Sequence, residues 1–299
     1  MKAIVTGGAG FIGSHLVQEL VRKKYQVVVI DNLSNGDLKN IKFVKKNIKF
    51  VKSDISKNKK LSEHFKNVDY VFHLAGLVDV SSSIKNPLKY YNNNVNGTLN
   101  ILKALRSNKI KKFIYAASAS CYGNCRKLPT SENSKIEILS PYALTKWLGE
   151  LMVLNWSKKF NLPVASLRFF NVYGPRSKKS GSYSAVINVF IKQKLSKKPL
   201  TVVGDGKQTR SFVYVTDVVG AMIKAARSIS KGEVFNVGAK KSIAINDLSK
   251  LIGGKKIHIA KRPGELKHSK ANINKIEKKL NWKPRINLNF GLKKIIKEF

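Results

Sequence analysis

The chain has 299 residues, 43% of them hydrophobic and 25% charged, a balance that excludes intrinsic disorder and a length that excludes a small disulfide-stapled module. The formal charge of +40 raises the question of nucleic acid, but only nine of the 57 basic residues are arginine, and no basic segment interleaves with aromatics. The lysines are spread along the whole chain, so we read them as solvated positions whose positive field would attract an anionic small substrate.

In chain order, short β-branched runs alternate with longer amphipathic stretches, the pattern of a parallel sheet with crossover helices. Strands are predicted at Lys2–Thr6, Gln26–Asp31, Ile48–Lys52, Tyr70–Leu74, Lys112–Ala117 and Val164–Phe169. Helices are predicted between them at Gly13–Lys23, Leu61–Lys66, Asn92–Ser107 and Pro141–Phe160. After Phe170 the pattern loosens, with Gly/Pro punctuation at Gly174-Pro175, Gly204-Asp205-Gly206 and Pro263-Gly264. Phe212–Tyr214 and Val234–Val237 again read as strands. The expected architecture is a doubly wound α/β fold. Residues 1–170 form a dinucleotide-binding domain, with segments near 209–240 returning to it, and residues 171–299 mainly form a smaller substrate-binding lobe. No apolar run reaches the roughly 20 residues that span a bilayer. Met1–Gly8 runs straight into a strand, which argues against an export signal. Cys121 and Cys125 are too few for a disulfide framework or a four-ligand zinc site, and they suit a reduced cytoplasm. The five histidines show no metal-ligand spacing. His73 reads as a packed histidine and Trp282 as core of the C-terminal lobe.

Gly7-Gly8-Ala9-Gly10-Phe11-Ile12-Gly13 follows a predicted strand and opens a predicted helix. Glycines in that context let backbone turn tightly and approach a pyrophosphate, which the helix N-terminus then holds. Asp31 ends the second strand. A carboxylate there can bind a ribose 2′-hydroxyl and would repel a 2′-phosphate, so NAD is favoured over NADP. Tyr142 and Lys146 stand four apart on a predicted helix and project from one face. A neighbouring ammonium lowers a phenol from its ordinary value of about 10 and makes Tyr142 a base. Ser118, at the preceding strand end, can hold the reacting oxygen or relay its proton.

With these motifs the chain resembles an extended short-chain dehydrogenase/reductase of the nucleotide-sugar epimerase and dehydratase family, the UDP-hexose 4-epimerases above all. The resemblance is carried by Thr6–Ser14, Asp31–Ser34, His73–Gly76, Tyr91–Gly97, Ala117–Gly123, Tyr142–Lys146, Leu167–Arg176, Gly204–Asp217, Arg262–Glu265 and Leu280–Pro284, in order and nearly end to end. It implies that Gly7, Gly10, Phe11 and Ile12 line the pyrophosphate of NAD, Asp31 and Asn32 its adenosine ribose, and Asp54 and Ile55 its adenine. Leu74, Ala75 and Gly76 would pass under the cofactor, and Asn93 would face its inner end. Ser118, Tyr142 and Lys146 would be catalytic. Asn171, Arg210 and Arg262 would hold the diphosphate of a UDP-sugar, where guanidinium forks match phosphate oxygens. Helices Asn92–Ser107 and Pro141–Phe160 resemble a pair that builds a homodimer.

Two departures from the family pattern bear on the reaction. Ser118 is followed by Ala119 and Ser120, where 4,6-dehydratases carry an Asp-Glu pair. Val78 and Ser269 stand where epimerases of unsubstituted hexoses carry Lys and a bulky Tyr, and Ser269 would widen the pocket around the sugar C2 substituent. The implied activity is NAD-dependent C4 epimerisation of a UDP-hexose, plain or N-acetylated, through a 4-keto intermediate. A related dehydratase or reductase, or a non-catalytic NAD-binding sensor, shares the fold.

Overall fold

A computed structural model describes the chain apart from residues 58–60, 107, 178–185, 261–265 and 298–299. The elements run β1 (Lys2–Thr6), α1 (Phe11–Arg22), β2 (Gln26–Asp31), β3 (Ile48–Lys52), β4 (Tyr70–His73), α2 (Val80–Lys85), α3 (Pro87–Tyr90), α4 (Gly97–Leu105), β5 (Lys112–Ser118), α5 (Pro141–Phe160) and β6 (Val164–Phe169). They continue through β7 (Asn171–Tyr173), α6 (Val186–Leu195), β8 (Leu200–Val203), β9 (Thr209–Arg210), β10 (Phe212–Tyr214), α7 (Val215–Arg227) and β11 (Glu233–Val237). Last come β12 (Ile243–Ala244), α8 (Ile245–Ile252), β13 (Lys256–Ile259), α9 (Asn274–Leu280) and α10 (Leu288–Ile296). None of the described helices is long and apolar enough to cross a membrane.

The chain divides into two compact units, one of Met1–Ser118, Ser140–Arg168 and Val219–Phe235, the other of Ala119–Leu139, Phe169–Val218 and Asn236–Phe299. The segment 119–139, which sequence reasoning leaves inside the first 170 residues, lies in the second unit. So does 209–218 of the expected return, while 219–235 belongs to the first unit.

The first unit is built on a seven-stranded sheet in the order β11-β6-β5-β4-β1-β2-β3. The pairs β1–β2, β1–β4, β2–β3 and β4–β5 are all parallel. Strands covered on both faces need apolar runs rather than alternation. Accordingly β4 and β6 are buried along their whole length, and β2 is buried beyond its first residue. Phe65, Phe72, Phe113 and Tyr115 are among the largest fully buried side chains. The order reverses beside β1, and ligands of open α/β sheets bind at such switch points, beyond the carboxyl ends of the strands.

The expected strands stand within one residue of their predicted ends, but two helices differ in kind. Leu61–Phe65 is a 3₁₀ helix, and the single helix predicted from Asn92 opens as a π-helical turn at Tyr91–Asn96 before α4. Hydrophobic periodicity does not register the one-residue bulge that a π turn inserts. The 3₁₀ segment Leu38–Asn47 and the short α2 and α3 fall where no helix is predicted.

In the second unit β10 pairs with β7, β12 with β9, and β13 with β8. Its C-terminal part is tied down by Trp282, which is buried and donates from Nε1 to the Asp217 carbonyl at 2.9 Å. The Asp217 carboxylate accepts from Ile286 N–H at 2.9 Å, and burial raises its pKa against that bond.

Candidate active site

The first part of the site is the turn between β1 and α1. Gly7 has φ of +70° and donates to the Ile30 carbonyl at 2.8 Å. A side chain there would be strained, and its Cβ would lie 2.7 Å from the Ala75 nitrogen. A Cβ on Gly13 would strike the Gly7 carbonyl, so the helix can start this close to the strand only with glycine. Gly10 caps α1 without any side-chain hydrogen bond, and the first turn of the helix carries no acidic residue. An uncapped N-terminus with no local anion is what a dinucleotide phosphate requires. Gly10, Phe11 and Ile12 are half-buried at this end of the helix.

Asp31 sits beside the loop. Its carboxylate accepts from Ala9 N–H at 3.0 Å and from Leu33 N–H at 2.8 Å. Burial raises its pKa, partly offset by those two N–H groups. Asn32 donates to Asp54 at 3.2 Å. Burial raises the Asp54 pKa, but hydrogen bonds from Ser56 and Asn32 and the nearby Lys57 charge outweigh it and leave the group lowered. Ile55 is different. Its side chain lies in the main hydrophobic cluster, where it packs so closely that a Cβ on Gly97 would fall 2.8 Å from it. Its carbonyl accepts from the Asn100 side-chain amide at 2.9 Å. These residues fit NAD, with glycines where backbone must come close and a carboxylate beside the loop.

The second part lies at the ends of β4, β5 and α5. Leu74 and Ala75 N–H groups bond to the carbonyl and hydroxyl oxygens of Thr6, at 3.1 and 3.2 Å, which fixes the Leu74–Gly76 backbone. The Thr6 hydroxyl meets His73 Nδ1 at 2.7 Å, and His73 Nε2 meets Thr98 Oγ1 at 2.9 Å. Thr98 Oγ1 donates to the Asn94 carbonyl at 2.6 Å, so the Nε2–H tautomer satisfies the chain. Burial, with a smaller repulsion from Lys146, drives the His73 pKa down to about 3. This is the packed histidine expected from the sequence, and it is neutral.

Helix α5 starts cleanly. Ser140 accepts from Ala143 N–H at 3.2 Å and Pro141 takes the first turn, where its missing N–H costs nothing. Tyr142 is half-buried, and Lys146, one turn on, is buried with 7% exposure. The Lys146 ammonium lies 4.5 Å from the ring centroid of Tyr115, whose hydroxyl donates to the Lys146 carbonyl at 3.3 Å. Burial lowers the Lys146 pKa to about 8, against a supporting charge from Glu150. Ser118 ends β5, three residues beyond Tyr115, and is half-buried. α5 packs on β5 where the Tyr115 hydroxyl meets the Lys146 carbonyl and lies where a Cβ on Gly149 would be, with Tyr142 one turn before Lys146 and Ser118 at the end of β5.

Asn94 escapes sequence reasoning. It is 2% exposed and accepts from Leu77 N–H at 2.7 Å. Its amide also donates to the Leu77 carbonyl at 3.0 Å and to Thr145 Oγ1 at 3.0 Å. It thereby joins the segment after β4 to α5. The run Asn92-Asn93-Asn94 hides which amide turns inward, and the π turn decides it: Asn93 is left half-buried beside it.

In the second unit three expected residues come together. The Asn171 N–H donates to the Ser211 carbonyl at 3.2 Å, in the β7–β10 pair. Arg210 is half-buried and donates to the Thr209 carbonyl at 2.9 Å. Ser269 N–H donates to that same carbonyl at 3.0 Å. Arg262 lies outside the described residues.

The model of the NAD dependent epimerase/dehydratase family matches residues 3–238. The solved UDP-N-acetylglucosamine 4-epimerase of Methanobrevibacter ruminantium M1, in complex with UDP-N-acetylmuramic acid, is 36% identical, with 99% of this chain and 97% of that one covered and a TM-score of 0.95. The UDP-glucuronic acid 4-epimerase of Bacillus cereus, solved with UDP-glucuronic acid and NAD, is 34% identical over 99% of this chain and 98% of its own, with a TM-score of 0.93. A UDP-N-acetyl-alpha-D-glucosaminuronate decarboxylase of Bacillus cytotoxicus is 33% identical over 315 residues, covering 100% of this chain and 97% of that protein. Family, fold and glycine cradle agree, and this chain belongs to the NAD dependent epimerase/dehydratase family, with NAD as its cofactor.

Proposed function

We propose that the protein is a UDP-hexose 4-epimerase that accepts N-acetylated sugars. The carrying observation is a Tyr142–Lys146 pair on the NAD-binding unit, with Ser118 followed by Ala119 and Ser120 and hence no acid–base pair for water loss beside it. Tyr142, as phenolate, takes the proton from the sugar 4-hydroxyl while Ser118 holds that oxygen. Bound NAD supplies a hydride acceptor that can also give the hydride back. Lys146 supports the phenolate through its charge, because an ammonium favours the ionised phenol. Arg210 and Asn171 hold the substrate diphosphate, with Arg262 as a further ligand of the same group. With the diphosphate held, the 4-keto sugar turns its other face, and Tyr142 returns the proton to the new epimer. Ser269 leaves volume for a C2 acetamido group.

Exposed apolar side chains on α5 and on the elements packed against it suit a homodimer. Leu144 and Leu151 of α5 are exposed, as are Tyr91, Leu88 of α3 and Ile84 of α2, and exposed apolar side chains gathered in a patch mark an interface.

The test is a panel of UDP-glucose, UDP-GlcNAc and UDP-glucuronate followed by NMR. Appearance of the C4 epimer of UDP-GlcNAc supports the reading. Loss of the uronate carboxyl as CO₂, or of water from C6, with no epimer would replace it with a decarboxylase or dehydratase. Denatured protein should release NAD and not NADP.

A further inference from the structure

The buried polar side chains behind the site form one hydrogen-bonded chain, and the proposed reaction uses none of its middle members. It begins at the Ala75 N–H, which donates to Thr6 Oγ1 at 3.2 Å. Thr6 Oγ1 meets His73 Nδ1 at 2.7 Å, and His73 Nε2 meets Thr98 Oγ1 at 2.9 Å. Thr98 Oγ1 donates to the Asn94 carbonyl at 2.6 Å, the Asn94 amide to Thr145 Oγ1 at 3.0 Å, and Thr145 Oγ1 to the Tyr142 carbonyl at 2.9 Å. The Tyr115 hydroxyl, bonded to Thr98 as well, carries a branch to the Lys146 carbonyl at 3.3 Å. Thr6, His73, Thr98, Asn94 and Thr145 are each no more than 2% exposed. The chain therefore runs from the backbone expected under the cofactor to the backbone of the proposed base. Its direction is set at the far end. Thr98 gives its proton to Asn94, so it takes one from Nε2, and Nδ1 is left to accept from Thr6. A neutral imidazole meets both demands, with an acceptor on one edge and a donor on the other.

We propose that His73 is a positioning residue: its Nε2–H tautomer ties the Leu74–Gly76 backbone to the π turn and so fixes where NAD lies against Tyr142 and Lys146. The two bonds of the ring reach different elements. Thr6 ends β1, opposite His73 in the β1–β4 register, whereas Thr98 belongs to α4, directly after the π turn that carries Asn94. Asn94 in turn grips Leu77 by both its N–H and its carbonyl, at 2.7 and 3.0 Å, so one turn holds the strand end on both sides of Gly76. Gly76 itself lies against the same groups. A Cβ on it would stand 3.1 Å from Asn94 Oδ1 and 4.0 Å from Lys146 Nζ. Packing alone does not ask for a histidine here. The ring is flanked by Phe113 and Tyr115, with centroids 6.1 and 5.7 Å away, and the three residues before it in β4 are Tyr70, Val71 and Phe72, all buried. A phenyl ring would fill that volume without taking two nitrogens out of water. Once both nitrogens are bonded, they specify a single arrangement of the groups they join.

The inference rests on the proposed places of NAD, Tyr142 and Lys146, but its first two readouts need no sugar. Side-chain ¹⁵N NMR of histidine-labelled holoenzyme, with His73 assigned from the spectrum of His73→Gln, should show a neutral ring protonated on Nε2 at neutral pH. A proton on Nδ1, alone or with a second on Nε2, overturns the proposal. His73→Phe keeps the ring and removes both bonds. Bound NAD should leave this holoenzyme about tenfold faster or more on dilution, the effect of stranding two buried hydroxyls beside the cofactor platform. Its kcat should fall at least as far, while KM for the UDP-sugar stays within about twofold, because residues of the second unit hold the diphosphate. His73→Gln carries an acceptor and a donor and should hold NAD more firmly than His73→Phe. A purely structural role would lower the melting temperature and leave the NAD release rate and kcat in place, and that outcome in folded His73→Phe overturns the proposal. Should His73→Phe not fold, Thr98→Val is isosteric and cuts the same chain one bond further on. It should speed NAD release likewise, and an unchanged rate there overturns the proposal, as does failure of both variants to fold. Faster NAD release in a protein whose wild type epimerises nothing would leave the positioning role standing and remove the epimerase reading.

Discussion

The residues expected at the site differ in burial between the two units. In the first, Tyr142 and Ser118 are half-buried, but His73, Asn94 and Lys146 are buried and held: His73 is bonded through both ring nitrogens, Asn94 to three partner atoms, and Lys146 lies over an aromatic ring. In the second, Asn171, Arg210 and Ser269 stand on two- or three-residue strands or beside them, exposed or half-buried. Burial with full hydrogen bonding costs nothing only where every partner is supplied, so it fixes one geometry and tolerates little change. Half-exposed side chains on short strands can be exchanged at low cost. Relatives that act on N-acetyl sugars and on uronic acids share this fold, which fits a first unit that carries common chemistry and a second that carries choice.

The sharpest way to break this contrast is Tyr142→Phe. It should lower kcat by about 10²–10⁴-fold, the usual yield of general-base catalysis, while the NAD released on denaturation stays at the wild-type amount. Near-normal turnover would remove the chemistry from the first unit. Next in size is a pH effect on stability. His73 is held at about 3 in the fold against 6.5 in the unfolded chain, so unfolded protein binds the extra proton as pH falls. Stability is therefore complete above about pH 6.5 and is lost by about 1.4 kcal/mol per pH unit on the way down towards pH 3. Urea midpoints between pH 7 and 4 should show that slope, and His73→Gln should flatten it.

A smaller effect is expected in the second unit. Ser269→Tyr should cut kcat/KM for UDP-GlcNAc by roughly tenfold to a hundredfold, the size of a 1–3 kcal/mol overpacking, and spare UDP-glucose. Equal losses on both sugars would show that this residue does not set the choice. The smallest effect on catalysis should come from Leu151→Lys. If α5 builds the proposed homodimer, sedimentation should show a dimer for the wild type and a monomer for the variant, with NAD still bound by each chain.

The parallel sheet was legible from the chain because β1, β2, β4, β5 and β6 are buried along most of their length, and burial on both faces writes unbroken apolar runs. The glycine loop was legible because close approach excludes every other residue at Gly7 and Gly13. Tyr142 and Lys146 were legible because helical spacing places them on one face. The C-terminal unit was harder to read. Its strands are short, and its segments 119–139, 169–218 and 236–299 are gathered from separate stretches, so local pattern could not show where the chain crosses.

What the sequence by itself determined is therefore what depends on period and on steric exclusion: the order of the sheet strands and their crossover helices, the nucleotide loop and the spacing of Tyr142 and Lys146. What only the tertiary structure decided is which polar groups are buried together. Nothing in the run Asn92-Asn93-Asn94 marks Asn94 as the inward amide, because a π turn redirects the face. Nothing local joins Glu150 to its ion-pair partner Arg168, which lies on the next strand. Charge and hydrogen bonding act through space, and the lowered pKa of Lys146 is set first by the burial that the fold imposes, against a smaller support from Glu150.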